Sequence, residues 1–402
     1  MDIRKFSLKK VFEVLGPGLI TAAMVLGPGT LTVCSKAGAT MQYSTLWVIV
    51  VSVFFMIYFT RMAARVGCIS SKSLLSVVEQ NYGRTLSILM GLSVCFSCAG
   101  FQTGNTVGIG LSMDTLFGGG IAIWAVLFLI VTLAFIWTSS NFYNLLEKVM
   151  VFLVILMIVA FAGNLFRARI DGVELLKGFI PSVPSDVSIL IAIASTSFSV
   201  AAAAGQVYMV QGKNWHLEDL KKGLRDAVVG IVTLGTLSAI IIVTSAAVLA
   251  PKGIQVNSAI DMALQLEPLL GPLAKWLFLI GLFAASFSSY VANAVMSGIF
   301  LADALHLGQS VNDKWVKVFA SVVLALSTLV AVFFDSNPIQ LIIFAQAMTV
   351  LGAPLVAVVL CFLSNNKRIM GVHKNSLSEN IILNMATIWV IFLSAKQLLS
   401  LV

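Results

Sequence analysis

Charge is what this chain has least of. Only 10% of its 402 residues are Asp, Glu, Lys or Arg, against about 25% in an ordinary soluble domain. With 59% hydrophobic residues and a mean hydropathy of +1.00, that shortage excludes a soluble protein and leaves a polytopic membrane protein. Histidine is nearly missing: His216, His306 and His373 are the three present. All fall in predicted loops and read as solvated residues rather than metal ligands. Carboxylates are missing from the middle of every long apolar run. Glu13, Asp114, Glu147, Asp226, Asp303 and Asp335 sit near predicted ends, and Asp261 is in a loop. No Ser/His or paired-carboxylate arrangement stands at membrane depth, so the chain is read as a non-enzyme, with no cofactor expected. The five cysteines (Cys34, Cys68, Cys95, Cys98, Cys361) lie in or beside apolar runs. They read as buried thiols rather than a disulfide set, and Cys95-x-x-Cys98 as packing rather than redox or metal chemistry.

The net charge is +8, yet the basic residues sit at the ends of apolar runs rather than in one patch, which argues against a nucleic-acid partner. The opening MDIRKFSLKK is too charged to begin a cleavable signal, and no removed leader is expected. Apolar runs predict eleven spans: 12–38 (broken), 43–66, 84–112, 119–138, 143–166, 187–212 (broken), 227–249, 271–304, 315–334, 339–363 and 380–400. With the N-terminus (1–11) in the cytoplasm, eighteen of the 25 Lys and Arg residues face that side. The positive-inside rule supports this orientation, and an odd number of spans puts the C-terminus outside. The expected location is a bacterial inner (plasma) membrane. The lipid bilayer is the one partner composition requires; oligomeric state is open.

Two spans are irregular. Gly27-Pro28-Gly29-Thr30 interrupts the first, because Pro28 has no amide hydrogen and the flanking glycines disfavour helix. A helix is expected to stop near Leu26 and restart near Thr30. In the sixth, the apolar stretch Val187–Val200 leads into Ala201-Ala202-Ala203-Ala204-Gly205-Gln206. That run reads either as small residues permitting close helix packing or as a second interruption. Backbone broken at membrane depth survives only where it lines a cavity or binds something. Paired interruptions at corresponding places in two halves point to a transporter site. A single transmembrane domain, 1–402, is therefore expected, with 12–166 and 187–363 as inverted repeats and 380–400 as an added span.

At the level of motifs, GPGLITAAMVLGPGTLTVCSKAGA, followed by Tyr43 and by Ala63-Ala64-Arg65-Val66-Gly67, resembles the first two helices of Nramp-type divalent-metal transporters. Leu145-Leu146-Glu147-Lys148 resembles the LEK start of their fifth helix. Ala285-Ser286-Phe287-Ser288-Ser289 resembles the SGQSS stretch of the eighth, and Phe344-Ala345-Gln346 the ISQ of the tenth. Ser364-Asn365-Asn366-Lys367-Arg368-Ile369-Met370-Gly371 resembles the loop that follows. The resemblance covers nearly the whole chain. It implies an all-α LeuT-type fold of about eleven helices, working by alternating access. Its departures are chemical. The family's metal-binding aspartate falls on Gly27 and its asparagine on Thr30. Its Met-Pro-His falls on Ala203-Ala204-Gly205, and its third-helix acidic pair on Gln102 and Asn105. Gln346 and the backbone carbonyls of Met24 and Val200 remain from the family's coordination sphere.

The expected substrate site is thus Met24, Gly27, Thr30, Val200, Ala203, Gly205, Gln206 and Gln346, with Gln102 and Asn105 as a polar path; a metal-ligand set is not defined. Gln346, Gln102 and Asn105 also have a plainer reading, as hydrogen-bonding glue between helices. A dehydrated divalent ion wants oxygen ligands and usually a carboxylate. None is visible here, so ordinary Mn or Fe transport is disfavoured. No buried group is visible that would couple protons. A hydrated ion such as magnesium fits neutral oxygens better. A zwitterion such as an amino acid fits the paired helix ends. The substrate is therefore left as a metal ion or a small solute, beside a third reading as a non-transporting, receptor-like relative.

Overall fold

The computed structural model describes residues 26–70, 72–138, 141–183, 186–334 and 337–401. Among the described residues every regular element is helical. The elements are α1 (Pro28–Met41), α2 (Leu46–Ile69), α3 (Leu74–Tyr82), α4 (Arg84–Phe117), α5 (Ile121–Thr138), α6 (Asn141–Leu165) and α7 (Gly172–Lys177). After these come α8 (Val187–Ser197), α9 (Val200–Gly212), α10 (Leu220–Val248), α11 (Ala259–Ala263), α12 (Glu267–Leu270) and α13 (Leu273–Ala304). The last five are α14 (Lys314–Phe333), α15 (Pro338–Met348), α16 (Ala353–Asn365), α17 (Lys367–Met370) and α18 (Leu377–Leu399). Nine helical stretches among the described residues are long and apolar enough to cross a membrane. They coincide with predicted spans, and α6 covers the fifth. The half of the first span that precedes Leu26, including Met24, lies outside the described residues.

Caps set where helices begin. Asp171 accepts from the amides of Val173 and Glu174 at α7, and Asp186 from those of Ser188 and Ile189 at α8. Ser376 and Glu379 form a capping box at α18. These side chains satisfy amides that have no partner inside the helix. Large apolar residues that stay exposed line α5 (Ile123, Val126, Leu127, Ile130) and α14 (Val322, Leu326, Leu329, Phe333). Surface of that extent belongs against lipid.

The second break lies elsewhere than the Ala201–Gln206 run. Those residues are helical, and the chain leaves the helix at Phe198 (φ −128°, ψ 80°) and Ser199 (φ −88°, ψ 102°). Alanine is the best helix former, so the alanine run belongs inside α9. Ser199 caps it by accepting from the Ala202 amide. A further irregularity was not anticipated. The tenth span carries a 3-10 turn at Thr349–Gly352 between α15 and α16. Pro354 cannot donate to the turn before it, so the regular i to i−4 ladder is broken there.

Close packing surrounds α4. A side chain at Gly91 would meet the Phe300 carbonyl of α13 at 3.0 Å, and one at Gly352 would meet the Ser93 carbonyl at 2.3 Å. The α13 helix presses equally on α14, where a side chain at Gly298 would lie 2.3 Å from the Val316 carbonyl. Together α4, α13 and α14 form a tightly seated frame.

Candidate functional site

The site forms where the start of α1 meets α4, α13 and α15. Leu26 and Gly27 are not helical, and Pro28 opens α1 in the first-turn position where its missing amide is harmless. Gly27 is extended, and no side chain caps α1. The Ser289 hydroxyl of α13 donates to the Leu26 carbonyl at 2.8 Å, satisfying one backbone group freed by the interruption.

Three glycines of α4 seat the neighbours. Gly100, Gly104 and Gly108 recur every fourth residue on one face, the small-residue spacing that lets membrane helices touch. A side chain at Gly100 would strike Thr349 (2.8 Å) and the Ala345 carbonyl (2.9 Å). One at Gly108 would strike Pro28 and the Ser286 hydroxyl, both at 2.5 Å. Between them lies Gln346. Its Nε2 is 2.5 Å from where a Gly104 Cβ would be, and its Cδ is 2.3 Å from where a Gly29 Cβ would be. The Gln346 side chain therefore runs through a slot made by two missing side chains, one on α4 and one on α1.

The slot is polar and uncharged. Thr30, Gln102, Asn105 and Gln346 are each at least 98% buried. Among the described residues, Thr30 Oγ1, Asn105 Nδ2 and Gln346 Oε1 have no hydrogen-bond partner, and neither do the amide atoms of Gln102, which lies two residues from Gly104 and so on another face of α4. Asn105 Oδ1 lies 3.0 Å from where a Gly27 Cβ would be, with Ser289 Oγ at 3.5 Å. The side-chain space beside Gly27 is thus lined by a carboxamide and a hydroxyl. Buried polar atoms are nearly always paired in folded proteins. Such a group beside the start of α1, unpaired among the described residues, is the candidate site.

Of the expected site residues, the structure sets Asn105 against Gly27 and Gln346 against Gly29, two residues further on, with Thr30 next on α1; Gln102 lies on another face of α4. Val200 and Ala203 stand in the first turn of α9, beside the other break. Gly205 faces α13, where the Met296 thioether fills the space of its absent side chain, with Cε 2.6 Å from the Cβ position. Gln206 lies further along α9, with an unpaired buried Oε1. Sequence reasoning missed Gly29, Gly104 and Ser289 as site-shaping residues. The Gly100, Gly104, Gly108 spacing was the available signal. Phe287 packs in the core, stacked on Phe283 and edge-on to Phe128.

A small cavity adjoins the second break. Ser195, Phe198, Ser199 and Val200 line one side, and Thr349, Val350 and Ser97 the other. Its volume of about 10 Å³ is at the threshold for one water. Its hydroxyls are already engaged: Ser97 donates to the Thr349 carbonyl and Thr349 to the Gln346 carbonyl. Among the described residues no group of three or more His, Cys, Asp or Glu side chains converges. All five cysteines are free thiols.

Nine membrane-length helical stretches among the described residues, a sixth span interrupted at Phe198 and Ser199, and buried neutral polar groups beside the start of α1 fit one class: a multi-pass membrane protein of the LeuT-type fold. Within that class the chain belongs to the family described as Natural resistance-associated macrophage protein-like (Nramp), whose pattern matches residues 18–400. It is 26% identical over 372 residues to a divalent metal cation transporter, MntH, of Caldanaerobacter subterraneus, covering 90% of this chain and 87% of that protein. It is 23% identical to the MntH of Bacillus subtilis, covering 92% and 88%. Among solved structures it resembles the Eremococcus coleocola manganese transporter in complex with an aromatic bis-isothiourea substituted compound. That TM-score is 0.77 at 15% identity, covering 100% of this chain and 88% of the other. A nucleobase-cation-symport-1 family transporter matches with a TM-score of 0.63 at 16% identity, covering 96% and 92%.

Proposed function

We propose that this protein carries a divalent metal ion across the membrane by alternating access, holding the ion through neutral oxygens while it keeps part of its water shell. The observation that carries this reading is the set of buried, unpaired amide and hydroxyl groups on Thr30, Gln102, Asn105 and Gln346. Family membership favours a metal ion over an organic solute. The donor set favours a hydrated one, because carbonyl oxygen and water suit hard divalent ions such as magnesium, and magnesium sheds water reluctantly. The substrate contacts are Gln346 and Thr30, the carbonyls of Met24 and Val200, and the backbone at Gly27, Ala203 and Gly205; Gln206, Gln102 and Asn105 complete a polar path. Transport proceeds without proton coupling, since the described site offers no titratable side chain. The repeats 12–166 and 187–363 rock about the two interruptions. The end of the bundle bearing Arg61, Arg65, Lys72 and Arg84 faces the cytoplasm, as does the N-terminus, in a bacterial inner membrane.

Uptake by proteoliposomes tests this. Mg²⁺ and Mn²⁺ should both enter, at rates that an imposed pH gradient leaves unchanged. Thr30→Val and Gln346→Leu should each lower uptake about tenfold or more, the loss of one hydrogen-bonding ligand. Amino-acid flux without metal flux, or metal flux untouched by both substitutions, would overturn the assignment.

A further inference from the structure

Asp303 has no place in the site above, yet it is a carboxylate only 7% exposed near the end of a membrane-length helix. Burying such a group is costly unless it is well hydrogen-bonded. It is: Oδ2 accepts from the Tyr208 hydroxyl at 2.5 Å, and Oδ1 from the Ser73 hydroxyl at 2.8 Å. The three side chains come from α13, from α9 and from the residue that caps α3. Hydrogen bonds to an ionised carboxylate are about twice as strong as neutral ones.

The mechanical setting gives this cluster its meaning. The α13 helix is seated main chain to side-chain position against α4 and α14, at Gly91 and Gly298. The α3 helix joins the same frame through Ser87, whose hydroxyl donates to the Leu75 carbonyl at 2.9 Å. By contrast, α9 is connected to α8 by two non-helical residues, Phe198 and Ser199. It is pinned to the end of α2, where a side chain at Gly67 would meet the Val207 carbonyl at 3.0 Å. Gln211 adds bonds to the carbonyls of Ser70 and Lys72 at 3.0 and 2.7 Å. Where α9 touches α13 beside Gly205, the contact is the flexible Met296 thioether, which can slide. Next along that face, the Tyr208 ring meets Phe300 edge-on at 4.9 Å, and its hydroxyl reaches Asp303.

We propose that Asp303 is the positioning residue of an inner latch: with Tyr208 it ties the half-helix α9 to the frame and sets how often the bundle opens on its basic side. Ser73 orients the carboxylate, and Tyr208 is the joint that breaks when α9 swings. The effect on transport rests on the alternating-access reading, but the latch itself is testable with no substrate present.

The experiment measures distance by paired spin labels at Gly212 and Gln80, both exposed, on the full chain in lipid nanodiscs with the native cysteines replaced and no divalent metal added. The parent should give one narrow distance. Tyr208→Phe and Asp303→Asn should each raise the share of a second, longer distance roughly 10- to 100-fold, the weight of a hydrogen bond to a charged group; Ser73→Ala should do so less. Should Asp303→Asn fail to fold, Tyr208→Phe, which removes one oxygen atom, decides alone. An unchanged distribution in Tyr208→Phe overturns the latch, even where its melting temperature falls, because a merely structural tie would lower stability alone. Metal uptake by the parent is read in parallel, so failure of the transport reading and failure of the latch are separate results.

Discussion

Gly29→Ala is the sharpest probe of the slot that holds Gln346. The added methyl carbon would lie 2.3 Å from Gln346 Cδ, 2.5 Å from Nε2 and 2.6 Å from Cγ. Carbon atoms in good contact stand about 3.5–4.0 Å apart, so the overlap exceeds what a small adjustment relieves. The side chain cannot step aside toward α4, because Nε2 is already 2.5 Å from the Gly104 Cβ position. Overpacking of this kind costs about 1–3 kcal/mol. Helix propensity pulls the other way, since alanine is favoured over glycine by up to ~1 kcal/mol in a helix. The sign of the change therefore separates the two arguments. Thermal unfolding of the solubilised protein, followed by tryptophan fluorescence, should show Gly29→Ala melting a few degrees below the parent. In a Gln346→Ala background the clashing atoms are gone, and Gly29→Ala should become neutral or stabilising. The two substitutions should then be non-additive by about 2 kcal/mol. A Gly29→Ala protein as stable as the parent, or strictly additive effects, would refute the slot.

Two further outcomes follow from the packing. Gly352→Ala places a carbon 2.3 Å from the Ser93 carbonyl, a main-chain atom that cannot rotate away. It should destabilise by about 3 kcal/mol, read as lost expression and a lower melting temperature. Arg65→Gln removes a 3.2 Å ion pair to Glu379 and a 2.9 Å bond to Asn375, in a region where the pair's side chains are 16% and 19% exposed. A loss of about 1–2 kcal/mol is expected after allowing for that exposure, and Glu379→Gln should add little in the Arg65→Gln background.

The sequence made some of this legible and hid the rest for identifiable reasons. Spans followed from apolar runs, and the first break from Pro28 between glycines. The second break has no proline or glycine to mark it, and the alanine run that follows it is the more conspicuous feature. The usable cue was Ser195-Thr196-Ser197-Phe198-Ser199, a stretch whose hydroxyls compete for the backbone and whose last serine is a good cap. Pro354 after Gly352 is the signal for the 3-10 turn in the tenth span, masked by the long apolar run around it. At the site, Gln346, Asn105 and Gln102 were picked out because uncharged polar residues are conspicuous on apolar helices. Gly104 and Gly29 were not, because what they contribute is an absence that only a neighbour's position reveals. Asp303 and Tyr208 are 95 residues apart, and no local pattern pairs them.

The α5 helix carries a consequence of its own. Its 18 described residues account for about 27 Å at 1.5 Å per residue, most of a typical hydrocarbon thickness of about 30 Å. Ile121, Ala125 and Thr132 are its buried residues. Most of its surface is therefore solvated by acyl chains, whose length becomes part of its folding environment. Detergents whose chains cover that surface poorly should loosen it first.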